Sequence, residues 1–172
     1  MLMASRSKIL VIVAFLLFCG FMPLANASRT VSAFYVKLYA NPYDSVPVGQ
    51  GQYVIGNYVI LDFIQWGNLT AGSGNHLSPP IGKLTWHVIW VMDQRTVKSV
   101  IYAQFTMSFY SGTYAGMTIE GTGIANITRY LGPGGGGAVE NGIFFGSGDL
   151  NVAGHIEPVE VGSACAFIGY SW

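Results

Sequence analysis

The sequence feature that most constrains the fold is a repeated alternation of apolar and other side chains with a period of two residues. This alternation is present at 34–39 and at 100–109, and a long apolar run covers 53–63. A period of two places successive side chains on opposite faces of a β-strand, and no segment has a helical period over a useful length. The chain is therefore predicted to be all-β, in keeping with its many glycine, β-branched and aromatic residues. The clearest alternating set is Leu84, Trp86, Val88, Trp90 and Met92.

Several of the predicted strands are apolar on both faces, whereas one face of a two-layer sandwich is normally more polar. This pattern favours a closed barrel, with a packed or ligand-holding lumen and an outer face buried against another subunit. The glycine-rich segments 72–75 and 131–137 are too short to be interdomain linkers, so both are predicted to be loops of one domain. A turn is predicted at 93–96, and further strands are predicted at about 113–121, 123–130, 142–154 and 160–171.

Residues 1–27 have the pattern of a secretory signal peptide. Two basic residues precede the uncharged apolar run 9–18, and small residues at 25 and 27 supply a cleavage site. The apolar run is nearer in length to a signal peptide than to a membrane-spanning helix, although a retained anchor is the alternative interpretation. We therefore expect a secreted protein, with residues 28–172 as its single domain and no membrane attachment after cleavage.

The charge balance excludes one class of partner. The whole chain has eight Lys and Arg against eight Asp and Glu, and 51% of its residues are hydrophobic. Removal of residues 1–27 takes away two basic residues and leaves six against eight, a net charge of −2. Such a chain has no basic face with which to bind nucleic acid. Its hydrophobic content also excludes intrinsic disorder.

Two tripeptides after residue 27 match the acceptor sequence for N-glycosylation. They begin at Asn68 and at Asn126, and each is followed two residues later by Thr. A glycan attached there requires an exposed position. The sequence therefore predicts that Asn68 and Asn126 lie on the surface and carry glycans in a eukaryotic secretory pathway.

No metal site or nucleophilic triad is predicted. His76, His87 and His155 are far apart in sequence and lack acidic residues at ligand spacing. There is no G-x-S-x-G motif for an activated serine. Cys165, the one cysteine after residue 27, lies in an alternating apolar strand, where a thiolate would be poorly solvated. It is interpreted as a buried thiol, with an intermolecular disulfide as the alternative.

Aromatic residues are the remaining candidates for a binding site. Rings on the predicted strands could line an apolar cavity suited to a flat ligand, with one or two ionisable groups fixing its orientation. The alternative is that the rings only fill the core. The residues concerned are Trp86, Trp90, Tyr102, Phe105, Phe109 and Tyr114.

Five segments resemble, in order and at similar spacing, motifs of the plant dirigent and allene oxide cyclase barrel group. Residues 34–38 resemble the opening strand F-Y-F-H-D, and 56–62 resemble F-G-x-x-x-V-x-D one position later. Residues 77–83 are similar to L-S-x-P-V-x-R. Residues 109–121 are similar to the F-x-x-G-x-Y-N-G-S-T-L-x-x-x-G hairpin, and 141–148 lie where the family has G-T-G-x-F-x-x-A-R-G. The resemblance covers most of residues 31–155.

The resemblance implies an eight-stranded antiparallel barrel, commonly a homotrimer, that is secreted to the plant cell wall. Proteins of this family steer the stereoselective coupling of phenylpropanoid radicals that a separate oxidase generates. They need no metal or organic cofactor. A phenol is held in an aromatic and apolar pocket, where acidic residues and an arginine orient it or move protons.

The match becomes weaker at the residues that would act on a ligand. The aspartate of F-Y-F-H-D falls on Leu38, and the arginine of A-R-G is missing around Ser147. Lys83 replaces another arginine but lacks the planar guanidinium. The second family aspartate corresponds to Asp62, which is the candidate catalytic residue. Its alternative role is a strand-end carboxylate that bonds nearby backbone groups.

Alignment with the family's strands also predicts the ligand-binding residues. The family aspartate points into the lumen, so Leu38 should do so as well, together with residues two and four positions before it. The strand from 84 to 92 carries pocket residues on one face. The predicted ligand-binding set is Phe34, Val36, Leu38, Trp86, Val88 and Trp90.

These observations lead to one functional hypothesis and two alternatives. The hypothesis is a dirigent-like protein that guides phenylpropanoid radical coupling or binds related phenolics, with no oxidative activity of its own. The alternatives are a non-catalytic structural or recognition barrel and a cyclase-like isomerase, so whether the protein is an enzyme stays open. A lumen cavity of a few hundred cubic ångströms would favour ligand binding, whereas side chains packed across the lumen would favour the structural role.

Overall fold

The computed structural model describes residues 30–129, 137–159 and 164–172, and those from Val31 onward form one compact unit. The predicted signal peptide lies outside the described residues. The chain forms a closed antiparallel barrel in which each strand pairs with the next and β8 pairs with β1. The fold class predicted from the alternating pattern is confirmed. The strands are β1 Ser32–Ile55, β2 Tyr58–Ala71, β3 Gly82–Asp93, β4 Lys98–Phe109, β5 Thr118–Arg129, β6 Gly137–Gly148, β7 Val152–Pro158 and β8 Ala164–Ser171.

The first hairpin corrects the predicted strand at 53–63. That apolar run contains the turn between β1 and β2, where Ile55 pairs with Tyr58 across two intervening residues. Gly56 has a positive φ of 59°, which suits the first central position of a tight hairpin turn. The end of β1 and the start of β2 are both apolar, so the two strand ends looked like a single run in the sequence.

The later strands also differ from their predicted bounds. The predicted strands at 113–121 and 123–130 are one strand, β5, preceded by a single 3₁₀ turn at Gly112–Tyr114. The predicted strand at 142–154 is two strands, β6 and β7, separated by a bend at 149–151. The predicted turn at 93–96 and the loop at 72–75 are confirmed. Of the predicted loop 131–137, only Gly137 is described, and 160–163 of the predicted last strand lie outside the described residues.

The core lies in the lumen and is built from large aromatic rings. The ring of Phe34 contacts those of Phe109, Tyr114 and Phe144, with centroids 5.2 to 6.5 Å apart. Phe167 continues the cluster through an edge contact with Phe144 at 5.1 Å. An eight-stranded barrel is only just wide enough for its side chains to fill, so these rings occupy most of the available width.

Glycines on the inner face supply the space that the rings need. Gly121 pairs with Phe105 across β4 and β5, and a Cβ at Gly121 would lie 2.5 Å from the Cζ atom of that ring. Gly123 pairs with Phe144 on β6, and a Cβ there would lie 3.3 Å from Ile156 Cδ1. The glycines at 121 and 123 therefore do not interrupt β5, and at Gly121 the neighbouring ring leaves no room for a side chain.

Candidate functional site

The lumen contains all six of the predicted ligand-binding residues, but it does not bring them into one pocket. Phe34, Val36, Leu38 and Val88 are buried, whereas Trp86 and Trp90 are half-buried. Phe34 lies at the end of the lumen where its ring meets that of Phe109, the last residue of β4. Leu38 pairs with Cys165, which lines a small lumen cavity together with Trp86. Trp90, on β3, bonds to Ser99 near the start of β4.

Both lumen indoles donate their N–H groups to protein acceptors. Trp86 Nε1 donates to Gln65 Oε1 at 3.0 Å, and Trp90 Nε1 donates to Ser99 Oγ at 2.7 Å. The Ser99 hydroxyl in turn donates to the carbonyl of Ile127 at 3.1 Å. Buried indole N–H groups normally find such partners. The polar atoms on the Trp-bearing face are thus used within the fold and are not directed at a ligand.

A cavity of about 30 Å³ lies in the lumen beside Trp86. Pockets that hold small organic ligands are roughly ten or more times larger, from about 300 Å³ upward. A space of this size corresponds to about two water molecules. The packing at this point therefore leaves no room for a phenol unless a ring moves. The cavity has an apolar lining that includes Trp86, Ile101, Phe105, Val139, Ile156 and Phe167.

Among the described residues, two titratable side chains that face the lumen have a pKa raised by burial. Cys165 pairs with Leu38 across β8 and β1, and burial raises the pKa of its thiol to about 12. Burial also raises the pKa of the Tyr114 hydroxyl, whose ring packs on Phe34. This placement agrees with the interpretation of Cys165 as a buried thiol. A neutral thiol in an apolar wall is a poor nucleophile.

Asp62 lies on the outer face of β2 and does not point into the lumen. Its catalytic role stays a prediction. Asp62 pairs in register with Ile89, the residue between the inward-facing Val88 and Trp90. Because side chains alternate along a strand, Ile89 and Asp62 both point outward. Within the described part of the chain, the carboxylate makes no hydrogen bond to the backbone or to a side chain in the lumen. Its Oδ1 atom lies 2.6 Å from Nε2 of His87, which is also on the outer face.

A polar groove on the outer wall, with a volume of about 500 Å³, was not predicted from the sequence. Its polar side chains come from three adjacent strands, β3, β4 and β5, each of which contributes two polar residues separated by one position. That pairing was a signal in the sequence, but it becomes a site only when the register aligns the three strands. We call this site the polar wall groove; its polar residues are Thr85, His87, Gln104, Thr106, Glu120 and Thr122.

Both predicted glycosylation positions are exposed on the outer face. Asn68 lies near the end of β2, and Asn126 lies near the end of β5. The amide of Asn126 donates to Asn141 Oδ1 at 2.8 Å across β5 and β6. Exposure is what attachment of a glycan requires, and the glycans themselves stay a prediction.

The described residues contain no group of three or more His, Cys, Asp or Glu side chains placed to hold a metal ion. Among the same residues, none belongs to a helix with the length and hydropathy needed to cross a bilayer.

Comparison of the chain with models of protein families, with curated proteins and with solved structures found no match. The dirigent resemblance therefore rests on the sequence motifs alone. An eight-stranded barrel is what that resemblance implies, but a barrel of this kind serves many functions and does not identify a family.

Proposed function

We propose that this protein is a non-catalytic recognition barrel whose lumen serves as its structural core. The observation that carries the proposal is the cavity of about 30 Å³ beside Trp86, which is too small for a phenol. The ring cluster around Phe34 fills the other end of the lumen. The proposal therefore places the binding surface on the outside of the barrel.

The placement of the ionisable groups supports a role without catalysis. Asp62 and His87 bond to each other on the outer face. Leu38 occupies the position at which the family carries an aspartate in the lumen, and Cys165 beside it is a neutral thiol. Acid–base catalysis requires a titratable group within hydrogen-bonding reach of the ligand. The described lumen offers Tyr114 at one end and no carboxylate near Trp86 or Trp90.

A second candidate function is binding of a flat phenolic molecule at the Trp86 end of the lumen. The apolar cavity there and the resemblance to dirigent motifs favour this candidate. Binding would require a ring such as Phe105 to rotate away and enlarge the cavity. In that case a separate oxidase would supply phenoxy radicals outside the cell, in agreement with the predicted signal peptide.

One experiment separates the two candidates. Coniferyl alcohol is titrated into the purified protein while tryptophan fluorescence is recorded, and laccase-coupled products are then resolved on a chiral column. The recognition barrel predicts no saturable quenching and a racemic product. Saturable quenching and an enantiomeric excess that are lost in Trp86→Ala would overturn it in favour of the phenol-binding candidate. Trp66→Phe, on the outer face of β2, is the matched control and should leave any lumen signal unchanged.

We also propose that the barrel associates with copies of itself through its outer wall. Four apolar residues are direct cross-strand neighbours on β3 to β6, and three of them are 42% to 49% exposed. Contiguous exposed apolar residues of this kind commonly mark an interface. We call this set the apolar belt; it consists of Ile89, Tyr102, Ile124 and Ile143.

Light scattering coupled to size-exclusion chromatography tests the association. The proposal predicts a mass of several chains, a trimer if the family resemblance extends to assembly. Ile124→Lys should reduce this mass to one chain, whereas Ser108→Lys, an outward position outside the belt, should not. A monomer for the unchanged protein would contradict the proposal. Because Asn126 lies two residues from Ile124 on the same face, glycosylated and enzymatically deglycosylated protein are both measured.

A further inference from the structure

We propose that the polar wall groove is a binding site for a neutral saccharide. The inference rests on the proposed recognition role and specifies its ligand class. A saccharide presents many hydroxyl groups that both donate and accept hydrogen bonds, together with apolar C–H faces. The groove offers matching groups in a regular array on a rigid sheet.

The register of three strands creates the array. His87 pairs with Gln104, and Gln104 pairs with Thr122, which forms one row across β3, β4 and β5. Thr85 and Thr106 begin a second row, which Glu120 completes. Adjacent strands are about 4.8 Å apart, and positions two residues apart on a strand are separated by about 6.7 Å. Six polar side chains therefore share a patch of roughly 10 by 7 Å.

The hydrogen-bonding capacity of this array is largely unused by the fold. Within the described part of the chain, no side-chain hydrogen bond involves Gln104, Thr106 or Thr122. His87 uses Nε2 to bond Asp62, which fixes the orientation of the ring and leaves Nδ1 without a bond to the described residues. Polar groups held on a sheet in this way can bind a ligand without first breaking bonds inside the protein.

Apolar side chains border the array at its ends. The row through Gln104 begins at Ile64 on β2 and ends at Phe145 on β6, whose side chain is 58% exposed. The row through Thr106 begins at Trp66 on β2. Ligand sites commonly combine apolar and aromatic surfaces with a few placed polar groups. Here the ring of Phe145 is available to the C–H face of a sugar.

The charges of the groove select a neutral ligand. Glu120 lies within it, and Asp62 lies at its edge in contact with His87. Lys83 lies outside the groove, with its Nζ 5.9 Å from the centroid of the Trp66 ring. A phosphate, sulfate or uronate group inside the groove would meet the Glu120 carboxylate, which is unfavourable. Hydroxyl groups carry no such penalty, and a carboxylate is a strong acceptor for them.

Native affinity electrophoresis tests the inference with defined probes. Gels contain xyloglucan, galactomannan or mixed-linkage β-glucan as neutral polysaccharides, and polygalacturonate as the anionic one. The protein is expected to be retarded in at least one neutral gel and not in polygalacturonate. Gln104→Leu removes the central amide at nearly constant volume and should raise the dissociation constant about tenfold or more. Ser108→Ala, on the same strand but outside the groove, should leave retardation unchanged.

Three results would overturn the inference. The first is that the folded protein is not retarded in any neutral gel. The second is that Gln104→Leu does not weaken the retardation. The third is that polygalacturonate also retards the protein. Thr122→Val provides a second test at a position that tolerates β-branched residues, so that failure of one variant to fold does not end the experiment. The phenol titration with Trp86→Ala reports only on phenol binding in the lumen. Failure of the saccharide site is therefore distinguishable from failure of the recognition barrel.

Discussion

Asp62 Oδ1 and His87 Nε2 lie 2.6 Å apart on the outer wall of the barrel, on the opposite side of the sheet from Trp86 and Trp90. The side chains are 21% and 39% exposed, so water screens their interaction. This pair marks one edge of the polar wall groove.

The Asp62→Asn substitution should have little effect on the fold. A partly exposed contact between a carboxylate and an imidazole contributes about 1 kcal/mol or less to the free energy of unfolding. We expect the free energy of unfolding measured with urea to change by at most that amount. The fluorescence of Trp86 and Trp90 should be unchanged. A loss of stability well above this value, or a red shift in the emission of the folded protein, would show that the carboxylate supports the lumen.

The Ser99→Ala substitution should destabilise the barrel. Ser99 is buried, accepts the indole N–H of Trp90 and donates to the carbonyl of Ile127. The variant leaves the half-buried indole N–H of Trp90 and the carbonyl of Ile127 without this partner, at a cost of about 1–3 kcal/mol. Urea unfolding measures the change, with Ser108→Ala on the outer face of β4 as the matched control. Equal stability of the two variants would contradict the role assigned to this hydroxyl.

The Gly121→Val substitution should be more damaging than its position in a strand suggests. A side chain at this inward position meets the backbone oxygen of Phe145 on β6 and the ring of Phe105, and overpacking of a filled core costs about 1–3 kcal/mol. Ser147→Val, an outward position on the neighbouring strand β6, serves as the control because valine favours strands. In thermal unfolding, the melting temperature of Gly121→Val should be well below those of the unchanged protein and of this control. If Gly121→Val instead raised the melting temperature, the lumen would contain unfilled space at this point.

Stability should fall in acid partly through Asp93. Hydrogen bonds from the Arg95 side chain and backbone hold the pKa of the Asp93 carboxyl at about 2, below its ordinary value of 3.8. A carboxyl with a lower pKa in the folded chain stabilises the fold above its unfolded pKa, and the contribution is lost as the pH falls through the folded value. Between about pH 4 and pH 2, the unchanged protein should therefore lose stability more steeply than Asp93→Asn.

Urea unfolding across this pH range, at low ionic strength, measures the difference. Glu140, whose pKa is lowered by its hydrogen bonds to Lys98 and Thr128, is present in both proteins and does not contribute to the comparison. Added salt should reduce the difference because both partners of the Asp93 pair are at the surface. If the free energies of unfolding of the unchanged protein and of Asp93→Asn fall in parallel down to pH 2, the lowered pKa of Asp93 does not contribute to stability.

The thiol of Cys165 should be unreactive in the folded protein. Burial raises its pKa from 9.0 to about 12, so the nucleophilic thiolate is almost absent at pH 8. Its contribution to stability is present below the unfolded pKa of about 9 and is lost as the pH rises toward 12. In protein lacking residues 1–27, which removes Cys19, iodoacetamide should modify the thiol only as fast as the barrel unfolds. Rapid alkylation under native conditions would show that the thiol is accessible.

The inner faces of β3 and β4 could be predicted from the sequence because alternation is a local property. On those strands one set of alternate residues is larger and more apolar than the other, so the direction of each side chain follows from the pattern. The face of β2 could not be assigned in the same way. Leu61 and Phe63 point inward while Ile60 and Ile64 point outward, and only the register with β3 distinguishes the two sets.

The sequence by itself thus determined the all-β class and the inner face of the strands with clear alternation. The tertiary structure decided the continuity of β5 through Gly121 and Gly123, the outward position of Asp62, and the assembly of the polar wall groove. The physical reason is that each of these depends on a residue of another strand. A glycine in a barrel strand is a spacer or a break according to the ring opposite it, and a polar side chain becomes part of a site only through the register of its neighbours.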